Sequence, residues 1–127
     1  MIVVDTSVWV DVMRRPASPR AETLRQLLDA DEVALALPAR LELLSGVGRK
    51  DRVAFRRGLS ALPVLRPGEE TWRLIEQWIE PAADAGLHFS VSDLLIAGLA
   101  REIDGLVWAI DGDFGAMEKL GFVQLYA

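Results

Sequence analysis

Short apolar runs recur along the chain, and their positions organise everything else. They are IVV (2–4), VALAL (33–37), PVL (63–65), LVWAI (106–110) and FVQL (122–125). Apart from Gln124, successive residues in these runs are apolar, not every second one, so they predict strands buried on both faces. The stretches between them carry helical spacing. Residues 20–30 place Leu24, Leu27 and Leu28 on one face, and Pro38 suits the first turn of a helix over 38–46. A further helix is expected over 50–60. Another over 69–80 directs Trp72, Ile75, Trp78 and Ile79 inward and is stopped by Pro81. Residues 91–104 form a strong helix with Leu94, Leu95, Leu99 and Ile103 inward. Strands alternating with helices predict an α/β fold: a central parallel sheet of about four to five strands with helices on both sides.

In such sheets the ligand crevice lies beyond the carboxyl ends of the strands. Asp5 ends the first run, and Asp111 and Asp113 follow LVWAI on either side of Gly112. Glu42 lies in the helix after VALAL, and Asp93 opens the helix over 91–104. Each acid has a plain structural reading. Asp5 suits a helix N-cap, Ser90-x-x-Asp93 resembles a capping box, Asp-Gly is turn chemistry, and a single helical Glu is usually solvated. Four separate coincidences at one sheet edge are less economical than one site. Asp11, well inside the first helix, reads as solvated surface.

Composition changes this picture little. The 127 residues suit one compact domain spanning 1–127, 51% are hydrophobic and 26% charged, and no cysteine is present. Thiolate metal sites and disulfides are therefore excluded, which suits a cytoplasmic protein. No secretion signal or membrane-length apolar segment is evident. The net charge of -5 would ordinarily disfavour a nucleic-acid partner. If five acids share one pocket, however, the remaining fourteen balance the fourteen bases.

Clustered carboxylates repel one another and demand a cation, and oxygen-only ligation suits Mg²⁺ or Mn²⁺. Such ions activate water and bind phosphate oxygens, which points to phosphoester chemistry. Nucleophilic acyl transfer has no G-x-S-x-G stretch to support it. No Walker A loop or G-x-G-x-x-G is present, and the single His88 reads as structural.

DTSVWVD at the start, ELLSG around Glu42, SDLLIAGLA around Asp93 and VWAIDGDF near the end resemble, in order and spacing, the PIN domain. The length and layout are similar to VapC-type toxins of bacterial toxin–antitoxin pairs. The resemblance implies that Asp5, Glu42, Asp93 and Asp111 are catalytic, metal-binding acids and Asp113 an accessory one. It also implies that Thr6 or Ser7 supplies a supporting hydroxyl. Where the family often has Ser or Thr before the helical Glu, this chain reads Leu-Pro-Ala-Arg. The implied activity is a Mg²⁺- or Mn²⁺-dependent endoribonuclease that uses metal-activated water and arrests translation. The implied partners are an RNA substrate, a second copy of the chain, and an antitoxin whose C-terminal segment blocks the site.

Arg49, Lys50, Arg52, Arg56 and Arg57 in GRKDRVAFRR (48–57) form the RNA-backbone candidate, with a solvated helix face as the plain alternative. Arg14 and Arg15 offer a second phosphate contact, and Trp72 and Trp78 read as core or interface anchors. Two rival functions remain. One is another acid-site phosphoryl-transfer α/β enzyme, such as a phosphatase wanting D-x-D after its first strand or a receiver wanting a late Lys. The other is a catalytically silent binding module of the same fold.

Overall fold

The computed structural model describes residues 1–126. In chain order the elements are β1 (Ile2–Val4), α1 (Thr6–Arg14), α2 (Pro19–Asp29), β2 (Val33–Ala36), α3 (Leu37–Gly46) and α4 (Arg52–Leu59). There follow β3 (Val64–Leu65), α5 (Glu69–Asp84), α6 (Val91–Glu102), β4 (Leu106–Trp108), α7 (Gly112–Lys119) and β5 (Gln124–Leu125). The five strands form one sheet in the order β3-β2-β1-β4-β5, and every pairing is parallel. All five apolar runs thus yield strands, as expected.

The sheet is covered on both sides at its centre, because every residue of β1 and β2 is buried. From β1 the chain winds outward through β2 to β3, then returns through α5 and α6 to place β4 on the other side of β1. The winding direction therefore reverses between β1 and β4. That reversal opens a crevice beyond the carboxyl ends of those two strands.

The long helix α5 differs from expectation in two ways. It runs through Pro81 to Asp84. A proline in the last turn removes only one backbone donor, and Ala82 and Ala83 continue the helix well. Its inward seam is Thr71, Ile75, Trp78 and Ala82, spaced i, i+4, i+7, i+11, while Trp72 (49% exposed) and Ile79 (57%) face outward. Trp78 stacks on Phe122 with ring centroids 4.5 Å apart. Across the α5–α6 contact, a Cβ on Gly98 would come within 2.9 Å of Ile75 Cγ2, so only glycine allows this approach without adjustment. Helix α6 ends at Glu102, and Ile103, expected inward, is its exposed C-cap.

Four helices end the same way. After α2, α5, α6 and α7 the chain enters the left-handed region at Asp31, Gly86, Asp104 and Gly121. In each case two backbone N–H groups fold back onto the last turn, as in Glu32 N–H to Leu27 O and Asp31 N–H to Leu28 O. The next strand or loop then starts at a fixed angle. Asp11 is another correction. It is largely covered, bonded to Arg15 and to Arg20 at 2.7 Å, and the Arg20 hydrogen bond holds its carboxyl below the usual range.

Candidate metal centre

Asp5 stands where β1 ends. Its backbone N–H donates to Trp108 O at 2.8 Å, joining the tips of β1 and β4. Its Oδ2 accepts the Ser7 N–H at 3.1 Å and the Ser7 hydroxyl at 2.6 Å, so Asp5 is the N-cap of α1. Ser7 Oγ in turn accepts the Ile110 N–H at 3.1 Å. Asp5 as a residue is only 5% exposed, and burial pushes its pKa up against the lowering pull of the Ser7 hydrogen bonds, with Glu42 adding repulsion. Capping and site-building are thus the same act for this residue.

Asp93, Asp111 and Asp113 form the tightest group, each offering a carboxylate oxygen within 4.8 Å of the others. Asp93 sits in the first turn of α6, its N–H bonded to the cap residue Ser90 at 3.1 Å. Asp111 caps α7 by accepting the Asp113 N–H at 3.0 Å. Burial first, and then the charges of Asp5, Asp111 and Asp113, push Asp93 up to about 6. That repulsion shows four acids sharing one field. Asp113, expected in an accessory place, belongs to the inner group.

Glu42, on α3, faces Asp5 and lies outside the close group of Asp93, Asp111 and Asp113. Its Oε1 accepts hydroxyl hydrogens from Thr6 at 3.2 Å and from Ser92 at 2.9 Å. Nothing in the sequence singles out Ser92. Its only signal is a hydroxyl residue beside Asp93, and its partner lies on a different helix.

Every donor in this set is an oxygen. None of the five acids has an ion pair with Lys or Arg among the described residues, whose salt bridges all lie elsewhere. Uncompensated carboxylates at one crevice fit a hard divalent cation. Beside Glu42, Val10, Met13, Arg14, Leu43, Gly46 and Val47 line a cleft of about 330 Å³ between α1 and α3.

The basic segment divides. Arg49, Lys50, Arg56 and Arg57 are exposed and make no ion pair among the described residues. Arg52 instead turns inward, donating to Val47 O at 3.1 Å with its Nε buried. His88 is exposed in the α5–α6 connection.

The PIN domain family model matches residues 2–120. Two curated relatives are a VapC ribonuclease of Mycobacterium bovis and ribonuclease VapC11 of Mycobacterium tuberculosis. Each is 28% identical, over 98% of this chain and 96% of its own length. Among solved structures, VapBC2 from Rickettsia felis, bound to a DNA fragment from their promoter, superposes with a TM-score of 0.80 at 17% identity. That match covers 99% of this chain and 98% of the other. VapC20 of Mycobacterium tuberculosis, described as a sarcin-ricin loop cleaving toxin, superposes at 0.70 with 21% identity over the full length of both chains.

Proposed function

The chain belongs to the PIN domain family, and on that premise we propose that it is the toxin of a toxin–antitoxin pair, a Mg²⁺- or Mn²⁺-dependent endoribonuclease that inhibits translation and growth. The observation that carries the reading is the group of Asp93, Asp111 and Asp113 at the β1–β4 crevice, without a counter-cation among the described residues. The names of the relatives, VapC ribonuclease and sarcin-ricin loop cleaving toxin, agree with RNA as substrate.

The roles follow from position. Asp93, Asp111 and Asp113 would hold the cation, with Asp5 and Glu42 completing the acidic wall. Ser7 fixes Asp5, and Thr6 fixes Glu42, so these carboxylates need not reorganise when the ion enters. When bound, the ion supplies Lewis acidity toward water and toward a phosphate oxygen. Hydrolysis would join a water oxygen to phosphorus and break one bridging P–O bond. The water gives up a proton to solvent or a site carboxylate, and the departing ribose oxygen takes up a proton to leave as a hydroxyl, with the phosphate retained on the other end. Arg49, Lys50, Arg56 and Arg57 hold flanking backbone phosphates, which fixes the strand without reading its bases.

The 127 residues act as one PIN domain in the cytoplasm, and no helix among the described residues is long and apolar enough to cross a membrane. The solved relatives that are VapBC pairs agree with an antitoxin partner whose C-terminal segment covers the acids. A homodimer is supported by an outward groove of about 450 Å³ along α5 and α6, where Trp72, Ile79 and Val91 are exposed. Its rim carries Glu69, Arg73 and Glu76, with Arg73 paired to Glu70 at 2.8 Å within the chain.

The test is direct. Purified protein should cleave RNA with Mg²⁺ or Mn²⁺, stop with EDTA, and lose activity in Asp5→Asn and Asp93→Asn without unfolding. Metal-independent cleavage, or full activity in both variants, overturns the reading.

A further inference from the structure

Glu42 differs from the other acids in how it is held. Asp5, Asp93 and Asp111 have short side chains set at helix starts. Glu42 lies mid-helix, is exposed, and has an extra rotatable bond, so nothing local fixes its carboxylate. Two hydroxyls do so instead. Thr6 Oγ1 and Ser92 Oγ both donate to Oε1, at 3.2 and 2.9 Å, and neither donates to Oε2.

The two donors share a second property. Thr6 directly follows Asp5, and Ser92 directly precedes Asp93. Each hydroxyl thus ties α3 to the first turn of a helix that presents another acid to the crevice. The Ser92 bond is the shorter of the two. It links residues 50 apart in sequence, and within the α6 first turn Ser92 has no capping duty, which belongs to Ser90.

We propose that Ser92 is a positioning residue for metal binding: its hydroxyl, bonded to Glu42 Oε1, holds the Glu42 carboxylate on the Asp5 side of the crevice, with Oε2 taking no protein donor among the described residues. The proposal rests on the metal-dependent reading above and adds to it a residue of α6 outside the acidic set. Hydrogen bonds from outer groups to ligating carboxylates commonly change metal affinity by one to two orders of magnitude. Because Thr6 shares the load, removal of the Ser92 hydroxyl alone belongs at the lower end.

The experiment titrates Mn²⁺ into the full-length protein by calorimetry, alongside melting curves in EDTA and RNA cleavage rates across metal concentrations. Ser92→Ala should weaken Mn²⁺ binding on the order of 10-fold. It should raise the metal concentration for half-maximal cleavage by the same factor, with the rate at saturating metal near wild type. Ser92→Thr, which keeps the hydroxyl, should restore both. Thr6→Val combined with Ser92→Ala should weaken binding further than either change alone. If Ser92→Ala lowers the melting temperature but leaves Mn²⁺ affinity within about twofold, Ser92 merely joins α3 to α6 and the proposal is wrong. Failure of Ser92→Thr to rescue overturns it equally. If wild-type protein binds no Mn²⁺, the metal-dependent reading itself fails and this inference falls with it. Metal binding without RNA cleavage overturns only the ribonuclease reading.

Discussion

Asp5 donates its backbone N–H to the carbonyl of Trp108 at 2.8 Å, so the last residue of β4 fixes the first acid of the crevice. The carboxylate is thereby held in a buried place that its charge resists. Much of what the protein should do under perturbation follows from that conflict.

Asp93→Asn separates function from stability. Removing the charge relieves repulsion with Asp5, Asp111 and Asp113. The metal-free variant should therefore melt at a higher temperature than wild type at pH 7.5, while RNA cleavage falls by on the order of 100-fold or more. Differential scanning calorimetry in EDTA, paired with cleavage rates in Mg²⁺, checks both halves. A lower melting temperature would refute the repulsion account.

The pH dependence has a definite sign. Asp93 rises from an ordinary value of about 3.9 to about 6 in the fold, so the folded state holds its proton more tightly than the unfolded chain. The resulting stability is fully present below about pH 4 and is lost as pH climbs through about 6. Melting temperatures of metal-free protein between pH 4 and pH 7.5 should show this decline beyond that of Asp93→Asn. Added Mn²⁺ should reverse it most strongly at the upper end, where the carboxylate is ionised.

Gly98→Ala should destabilise the fold by about 1–3 kcal/mol, because its methyl meets Ile75 Cγ2 at 2.9 Å across the α5–α6 contact. Urea denaturation measures the effect. A neutral result would show that Ile75 has room to turn.

Charge reversal on α4 should act on RNA alone. Arg56→Glu with Arg57→Glu should weaken RNA binding and flatten its salt dependence, by about 0.7 in log–log slope for each phosphate no longer neutralised. Melting temperature should hold. Arg52→Ala should do the opposite, lowering stability with little change in salt slope, because its guanidinium serves Val47 O. Fluorescence anisotropy over a salt series distinguishes the two.

The strands are legible because β1 and β2 are buried on both faces and β4 nearly so, which leaves unbroken apolar runs in the sequence. The same signal overruns their ends. Ala109 and Ile110 continue the run past Trp108, yet they have already left the sheet to bring Asp111 to the crevice, and the Ile110 N–H is taken by Ser7. The α5 seam is hidden because Thr71 looks polar in sequence. In the fold it is fully buried and accepts the Gly68 N–H at 3.0 Å, and the indole of Trp72 turns outward. Asp31 and Asp104 occupy turns where glycine is the usual marker, so only Gly86 and Gly121 carry a visible signal. The acids themselves are legible through their places after strands and at helix starts. What holds Glu42 is not, since a hydroxyl 50 residues away leaves no local pattern.

The Ser7 hydroxyl, which donates to Asp5, accepts the Ile110 N–H from 103 positions further along the chain. During synthesis the first acid therefore emerges long before its neighbour, and β1 waits for β4 to become its partner. Until that late strand pairs, Asp5 lacks the Trp108 carbonyl that fixes it, and Asp111 and Asp113 have no crevice to enter. A chain that ends before β4 therefore has neither the carbonyl that fixes Asp5 nor the acids of α7, and its acidic centre is incomplete.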